Sequence, residues 1–362
     1  MNIAGFRLYR YDLPLTEPLS LGGETLERRA GLLLKLAGED GAVGWGESSP
    51  LPGFSLESLE EAASELGTIG ASLLGREITG GWSDPGGEIS RWLDAMTPVP
   101  SGRFGLELAV WNLCAAAQGA SLAELVSPSP SGTVMVNGLL TGPLAGVHRE
   151  ARGMRNAGYR TVKLKVGRRS VTEDAGLVRA LAGELGEDVA LRLDANRAWS
   201  LEEAGEFARA VRGSRFEYVE EPLRDPGLLP DFVRETGLPV ALDESLITME
   251  PEALGEHRYA TAVVLKPTLL GGLSAALRFA GEASRLGMAP VVSSAYETGV
   301  GTAALVALAA AIDGDVPAGL DTYRRLADDV VSPRLALPAP VVDVRAACAP
   351  REILKGNLRS VG

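Results

Sequence analysis

The sequence predicts an α/β protein, a parallel β/α barrel with a smaller α+β unit in front of it. Three observations carry this. From about Arg103 onward, strand-like apolar runs alternate with helical stretches that open on serine and close on glycine. Ionisable residues recur at the ends of those runs: Lys165, Asp194, Glu220, Asp243 and Lys266, at intervals of 29, 26, 23 and 23 residues (194−165, 220−194, 243−220, 266−243). Each interval fits one strand, one helix and two short loops. Before Arg103 the alternation is absent, and the chain reads as strands followed by helices.

In order, FRLYRYDL is a strand, and AGLLLKLAGEDGAVGWGESS is a hairpin turning at Gly38-Glu39-Asp40-Gly41. Helical periodicity runs from Ser58 to about Leu74 and from Gly87 to about Met96. LELAVWNLCAAAQG is a helix ended by Gly119. The strand-like runs that follow are TVMVNGLL, TVKLKV, VALRLD, FEYVEE, LPVALD, AVVLK, APVVSS and AGLDT. Eight strands with intervening helices favour a closed barrel over its competitor, an open doubly wound sheet. The final residues, rich in Pro, Ala and Val, are expected to pack back on the first unit. The expected division is 1–100 completed by 328–362, and 101–327 for the barrel.

A net charge of −12 argues against nucleic acid and against an anionic membrane surface. An anionic small molecule stays compatible, because lysines and a metal ion reverse the potential inside a pocket. Cys114 and Cys348 form no ligand-spaced pair, and Cys114, within LELAVWNLCAAA, reads as a buried inert thiol. So few cysteines fit a reducing compartment. The start MNIAGFRLYRYDL lacks the apolar core of a signal peptide, and no stretch approaches the ~20 apolar residues of a membrane span. A cytoplasmic location is the expectation. His148 and His257 have polar neighbours and no partner motif, which disfavours a histidine triad or a multi-histidine metal site.

Charges at the carboxyl ends of successive barrel strands converge on one mouth. Lys163 and Lys165, two apart on a strand, share a face. Mutual repulsion and desolvation there favour the neutral amine a general base needs. One acid after a strand is commonly a helix N-cap, but Asp194, Glu220 and Asp243 at matched intervals are not explained that way. Hard oxygen donors without cysteine or histidine indicate Mg²⁺, with Mn²⁺ as a substitute. Glu221 and Glu244, each following a candidate ligand, read as outer partners that orient ligands or lysines, or as structural. Asn196 shares strand parity with Asp194 and is expected to reach the same shell and contact the substrate. Lys266, across the mouth from the lysine pair, either stabilises developing charge or acts as a second base. Arg192 touches an anionic substrate or forms an internal ion pair. Ser293 and Ser294, before a helix N-terminus, are candidate carboxylate holders, and the glycine turn at 269–272 is another or a plain turn. Together these residues suit metal-assisted removal of a proton next to a carboxylate. No P-loop and no strand–GxGxxG–helix unit occurs.

KLK at 163–165, DAN at 194–196, EEP at 220–222, DES at 243–245 and KP at 266–267 resemble, in order and spacing, the muconate-lactonizing subgroup of the enolase superfamily. The resemblance implies a capping domain plus a modified (β/α)7β TIM barrel. It implies Asp194, Glu220 and Asp243 as Mg²⁺ ligands, Lys165 and Lys266 flanking the substrate, and Lys163 as an electrostatic helper. Cap loops near Leu19–Thr25 and Pro50–Phe54 would close the mouth. SSAYETGVG after the seventh strand and GLDTYRRLADDV near the eighth resemble the o-succinylbenzoate synthase family. That implies a lyase of menaquinone biosynthesis that dehydrates a cyclohexadiene carboxylate through an enediolate. GLDT, without the cysteine and second glycine expected there, and Tyr296 depart from the pattern. An N-acylamino acid racemase, on N-succinylamino acids for example, or another racemase or epimerase of the same fold, is the competing reading. A homo-oligomer is compatible with all of this.

Overall fold

The computed structural model describes residues 1–21, 24–78, 87–96, 98–140 and 144–361. The first unit is an antiparallel sheet. Strand β1 (Ile3–Leu21) pairs with β2 (Glu24–Gly38), and β2 pairs with β3 (Val43–Ser48) across a turn in which Gly41 has φ +87°. Residues 22 and 23, within the expected cap loop Leu19–Thr25, lie outside the described residues. Helices α1 (Leu59–Ser72), α2 (Glu88–Met96) and α3 (Pro100–Gln118) follow. Ser58 and Glu61 form a reciprocal capping box that starts α1, and Gly119, at φ 64°, ends α3 in the left-handed conformation.

Strand β3 reads VGWGES, and its glycines form the face on which α3 lies. A Cβ on Gly46 would stand 1.9 Å from the Gly105 carbonyl oxygen, and one on Gly44 2.0 Å from that of Ala109. Strand and helix backbones are in direct contact, so no side chain fits between them. Gly46→Ala is therefore expected to lower stability by about 1–3 kcal/mol, the usual result of overpacking. An unchanged denaturant midpoint would refute this close approach.

Helix α4 (Leu122–Val126) leads into β4 (Thr133–Met135) and β5 (Gly138–Leu140). The barrel then alternates α5 (Leu144–Asn156), β6 (Thr161–Lys165), α6 (Val171–Leu185), β7 (Ala190–Asp194), α7 (Leu201–Ala210), β8 (Val219–Glu220), α8 (Leu229–Thr236), β9 (Val240–Leu242), β10 (Ala262–Leu265), α9 (Pro267–Leu270), α10 (Leu273–Arg285), β11 (Ala289–Val292) and α11 (Gly299–Ile312). Capping boxes from Ser121, Ser170 and Ser200 start α4, α6 and α7. Strands β5 to β11 are parallel and lie in chain order. The circle closes through residues 318–319, which bridge Val136 on one side and Ser293 on the other. Ala318 N–H donates to Met135, and Ser294 N–H to Gly319. The result is the expected (β/α)7β barrel.

Two details differ from expectation. TVMVNGLL is not one strand: β4 pairs antiparallel with residues 341–343, and the barrel takes β5 together with the single bridging residue Val136. AGLDT contributes two bridging residues before a tight turn over Asp321–Arg325. After the barrel come β12 (Val331–Ser332), β13 (Val341–Asp343), α12 (Val344–Ala347), β14 (Glu352–Ile353) and β15 (Leu358–Val361). Strand β15 pairs with β1, so the end of the chain joins the first sheet, in the order β15-β1-β2-β3.

Candidate active site

Barrel register brings the strand-end charges into rows. Lys163 is opposite Arg192, Lys165 opposite Asp194, and Asp194 opposite Glu220. Glu220 pairs with Ala241, two residues before Asp243. Lys266 follows β10, on the far side of the barrel from β6. Asp194 and Glu220 are fully buried and Asp243 nearly so. Each carboxylate is bonded to lysine. Lys163 Nζ donates to both Glu220 oxygens (2.8 and 2.7 Å) and lies 2.7 Å from Asp194 Oδ2. Lys165 Nζ donates to Asp194 Oδ2 (2.7 Å) and Asn196 Oδ1 (2.6 Å), and Lys266 Nζ donates to Asp243 Oδ2.

The electrostatics correct one expectation. Burial alone would push Lys163 towards the neutral amine, but Asp194 and Glu220 outweigh it and hold its pKa well above that of a free lysine. Lys266 is raised in the same way by Asp243, against its burial. The cost of burying Asp194 is outweighed by Lys163, Lys165 and Lys266, which lower its pKa. Burial, then Asp194 and Asp243, drive Glu220 upward. Asp194 and Asp243 thus crowd Glu220, and positive charge beside it relieves that repulsion.

That crowding is the test of fit for a divalent cation. Buried oxygen donors that repel one another, with no sulfur or imidazole among them, match the donor preference of Mg²⁺. As arranged with lysines, no three acidic, histidine or cysteine side chains among the described residues are gathered tightly enough to chelate a metal. Lysine ammonium groups now supply the positive charge.

The outer partners are specific. Glu221 Oε1 accepts from the N–H groups of Asp243 (3.0 Å) and Ser245 (2.7 Å), and its Oε2 accepts from Arg197 Nε (2.9 Å). Glu221 thus fixes the backbone that carries Asp243. Glu244 Oε1 accepts from Asn196 Nδ2 (2.9 Å), whereas its Oε2 is buried without a partner among the described residues. Burial and neighbouring Asp243 push the Glu244 carboxyl up to about 7. Among the described residues, the non-glycine residues at positive φ are Asn196, Arg197, Glu221 and Tyr296. All four sit in loops at this mouth, where strained backbone is held by surrounding structure.

A cavity opens over the row, lined by Lys163, Lys165, Asp194, Asn196, Lys266, Ser293, Ser294 and Tyr296, by Leu51 and Phe54 of the first unit, and by Asn137, Leu139, Gly319, Asp321 and Thr322. Arg192 does not line it. Its Nε donates to Glu217 Oε2 (2.5 Å), and its Nη1 to Pro317 O (2.6 Å) and Asn137 Oδ1 (3.2 Å). Those partners precede β8, residue 318 and β5, so they draw the guanidinium towards the amino ends of the strands, away from the mouth. Of the two readings, Arg192 is the internal ion pair. Ser294 reaches the cavity wall, but its hydroxyl donates to Glu297 (2.7 Å) and accepts from Tyr296 N–H (2.9 Å). Among the described residues, the Ser293 hydroxyl makes only a long contact, to Gly319 O (3.4 Å). The glycine turn at 271–272 lies against Arg103 and Glu107, and Glu107 accepts from Ser274 N–H at the start of α10. It is a structural turn.

Cys114 is buried and its thiol is pushed up to about 11 by burial, as suits an inert side chain. His148 contacts Glu184, and His257 contacts Tyr259. No helix among the described residues is long and apolar enough to cross a membrane. Sequence reasoning missed Asn137, Asp321 and Thr322 as lining residues. Asp321 and Thr322 close the eighth strand run, whereas Asn137 lies in the middle of the first and gave no signal of its own.

Comparison with known proteins places this geometry. Residues 146–348 match the family model described as Enolase C-terminal domain-like, and residues 3–113 match the MenC N-terminal domain. The o-succinylbenzoate synthase of Enterobacter sp. (strain 638) is 33% identical over 347 residues, covering 94% of this chain and 98% of that protein. Protein PHYLLO, chloroplastic, of Arabidopsis thaliana is 32% identical over 93% of this chain, which spans only 22% of that protein's length. Among solved structures, the N-succinyl Arg/Lys racemase of Bacillus cereus ATCC 14579 superposes with a TM-score of 0.85 at 21% identity, covering 99% of this chain and 97% of that one. The dipeptide epimerase of Enterococcus faecalis V583, complexed with Mg and the dipeptide L-Leu-L-Tyr, does so with a TM-score of 0.83 at 23% identity, covering 95% and 97%. At those identities the structures speak for the fold alone. Sequence match over nearly the whole chain and the strand-end row together establish that the chain belongs to the o-succinylbenzoate synthase family of the enolase superfamily and is an enzyme, a lyase of the dehydratase type.

Proposed function

We propose that this enzyme catalyses the syn dehydration of 2-succinyl-6-hydroxy-2,4-cyclohexadiene-1-carboxylate to 2-succinylbenzoate, a step of menaquinone biosynthesis. The observation that supports it is the register row Lys165–Asp194–Glu220, with Lys266 across the cavity. Asp194, Glu220 and Asp243 would hold Mg²⁺, with Mn²⁺ as a substitute. When bound, the cation would offset negative charge on the substrate carboxylate and so ease loss of the adjacent proton. Lys165, as the free amine, takes that α-proton and returns it to the hydroxyl that leaves from the same face of the ring. One C–H and one C–O bond break, one molecule of water departs, and the ring becomes aromatic. Lys266 faces the opposite side of the substrate and stabilises charge that develops there. Asn196 orients Lys165, Lys163 balances Asp194 and Glu220, and Glu221 secures the Asp243 turn. Ser293 is left to contact the substrate.

A second reading, racemisation of an N-succinylamino or other N-acylamino acid, is favoured by one observation: Lys165 and Lys266 line opposite walls of the same cavity. Two lysines so placed provide a base and an acid on the two faces of an α-carbon. Incubation with each candidate substrate in D₂O separates the readings. Dehydration raises aromatic absorbance and releases water. Exchange of deuterium into an α-carbon with no loss of water would replace the first reading with the second.

A further inference from the structure

Arg29 lies on β2, away from the charged row, and is almost completely buried. Among the described residues it has no carboxylate partner. Its guanidinium instead donates to five backbone carbonyls: Nε to Tyr296 (3.1 Å), Nη1 to Ala30 (3.1 Å) and Pro50 (2.7 Å), and Nη2 to Ala295 (3.2 Å) and Ser49. A guanidinium has five N–H donors, so every one is used. Burying a cation against dipoles alone is costly, and that cost is offset only where each donor is met.

The acceptors belong to two segments far apart in sequence. Ser49 and Pro50 open the loop that follows β3, and Ala295 and Tyr296 form the turn that follows β11. Both segments supply cavity wall: Leu51 and Phe54 from the first, Ser294 and Tyr296 from the second. Leu51, Ala295 and Tyr296 share an apolar cluster with Leu269, and Phe54 packs against it. The Phe54 ring centroid is 5.9 Å from Lys266 Nζ. Tyr296 has φ 64°, so its carbonyl direction depends on outside support.

We propose that Arg29 is a positioning residue that latches the 49–54 loop to the 294–297 turn and so sets the cavity wall facing the part of the substrate remote from its reacting carboxylate. The proposal deepens, and for its kinetic arm rests on, the dehydratase reading above. Lysine keeps the charge but lacks the planar five-donor fork, so it cannot hold both segments.

The test compares Arg29→Lys and Arg29→Ala with Glu47→Gln. Glu47 is another buried link between the two units: it accepts from Tyr11, from Thr298 and from Gly301 at the start of α11, and it does not line the cavity. Kinetics with the cyclohexadiene carboxylate and amide hydrogen exchange without substrate are measured on each folded protein. In Arg29→Lys, kcat/KM is expected to fall about 10²-fold, the scale of a small misplacement, mostly through KM. Amides of 49–54 and 294–297 exchange faster together, while Mg²⁺ affinity is unchanged. Glu47→Gln lowers the melting temperature and leaves KM unchanged. The proposal is overturned if Arg29→Lys only lowers the melting temperature, or if Glu47→Gln raises KM equally. Should the wild-type chain not dehydrate the substrate at all, the function reading fails by itself. The exchange data then still decide the latch: joint acceleration in the two segments supports it, and unchanged protection overturns it.

Discussion

Replacing Lys165 with alanine is expected to cut turnover by about 10²–10⁴-fold, the usual contribution of a positioned general acid–base group, while the chain still folds and still binds Mg²⁺. Lys165 is the one cavity lysine whose ammonium is shared between Asp194 and the amide of Asn196, a partner held in turn by Glu244. Its amine is thus fixed in direction at the edge of the acid row. Removing it leaves Glu220 and Asp243 with their own lysines, Lys163 and Lys266. The charge balance of the remaining row is therefore largely kept. Steady-state kinetics and the Mg²⁺-dependent rise in melting temperature, measured on the same preparation, check both halves. Retained turnover would remove Lys165 from the reaction. Lost turnover with lost metal binding would assign it a structural role instead.

Asp243→Asn is expected to give the opposite pattern. A cation that binds only the native state stabilises it by RT ln(1 + [L]/Kd), about 2.7 kcal/mol at a hundredfold excess over Kd. Asparagine keeps the shape but removes the charge that a hard cation needs. The Mg²⁺-dependent rise in melting temperature should therefore shrink sharply in this variant. Asp243 is also the partner of the buried Lys266. Breaking a buried pair from one side costs about 3–5 kcal/mol, so the metal-free variant should melt below the metal-free wild type. Excess Mg²⁺ should recover part of the activity. Equal Mg²⁺ increments in variant and wild type would remove Asp243 from the metal site, and full activity of the wild type after EDTA treatment would remove the metal.

The sequence made the acid row legible because strand parity and the length of a strand–helix unit are local properties. Lys163, Lys165, Asp194, Glu220 and Asp243 could be placed on one rim from their spacing. Serine capping boxes marked helix starts for the same reason, since the cap and its acid lie three residues apart. Arg192 shows where such reasoning ends. It shares parity with Asp194 and register with Lys163, yet its guanidinium is drawn to Glu217, Asn137 and Pro317. Lys163 is a parallel case: like charges on one strand are visible in sequence, whereas its bonds to acids on neighbouring strands are set only by the fold.

By itself, then, the sequence determined which residues stand at strand ends and what donor chemistry they bring, because both follow from local period and residue type. Tertiary structure alone decided which charges meet, how deep each lies and which loops wall the cavity. Barrel closure through Ala318 and Gly319, and Arg29 tying residue 50 to residue 296, join segments far apart in the chain. Electrostatic energies change steeply over the few ångströms that such joining sets.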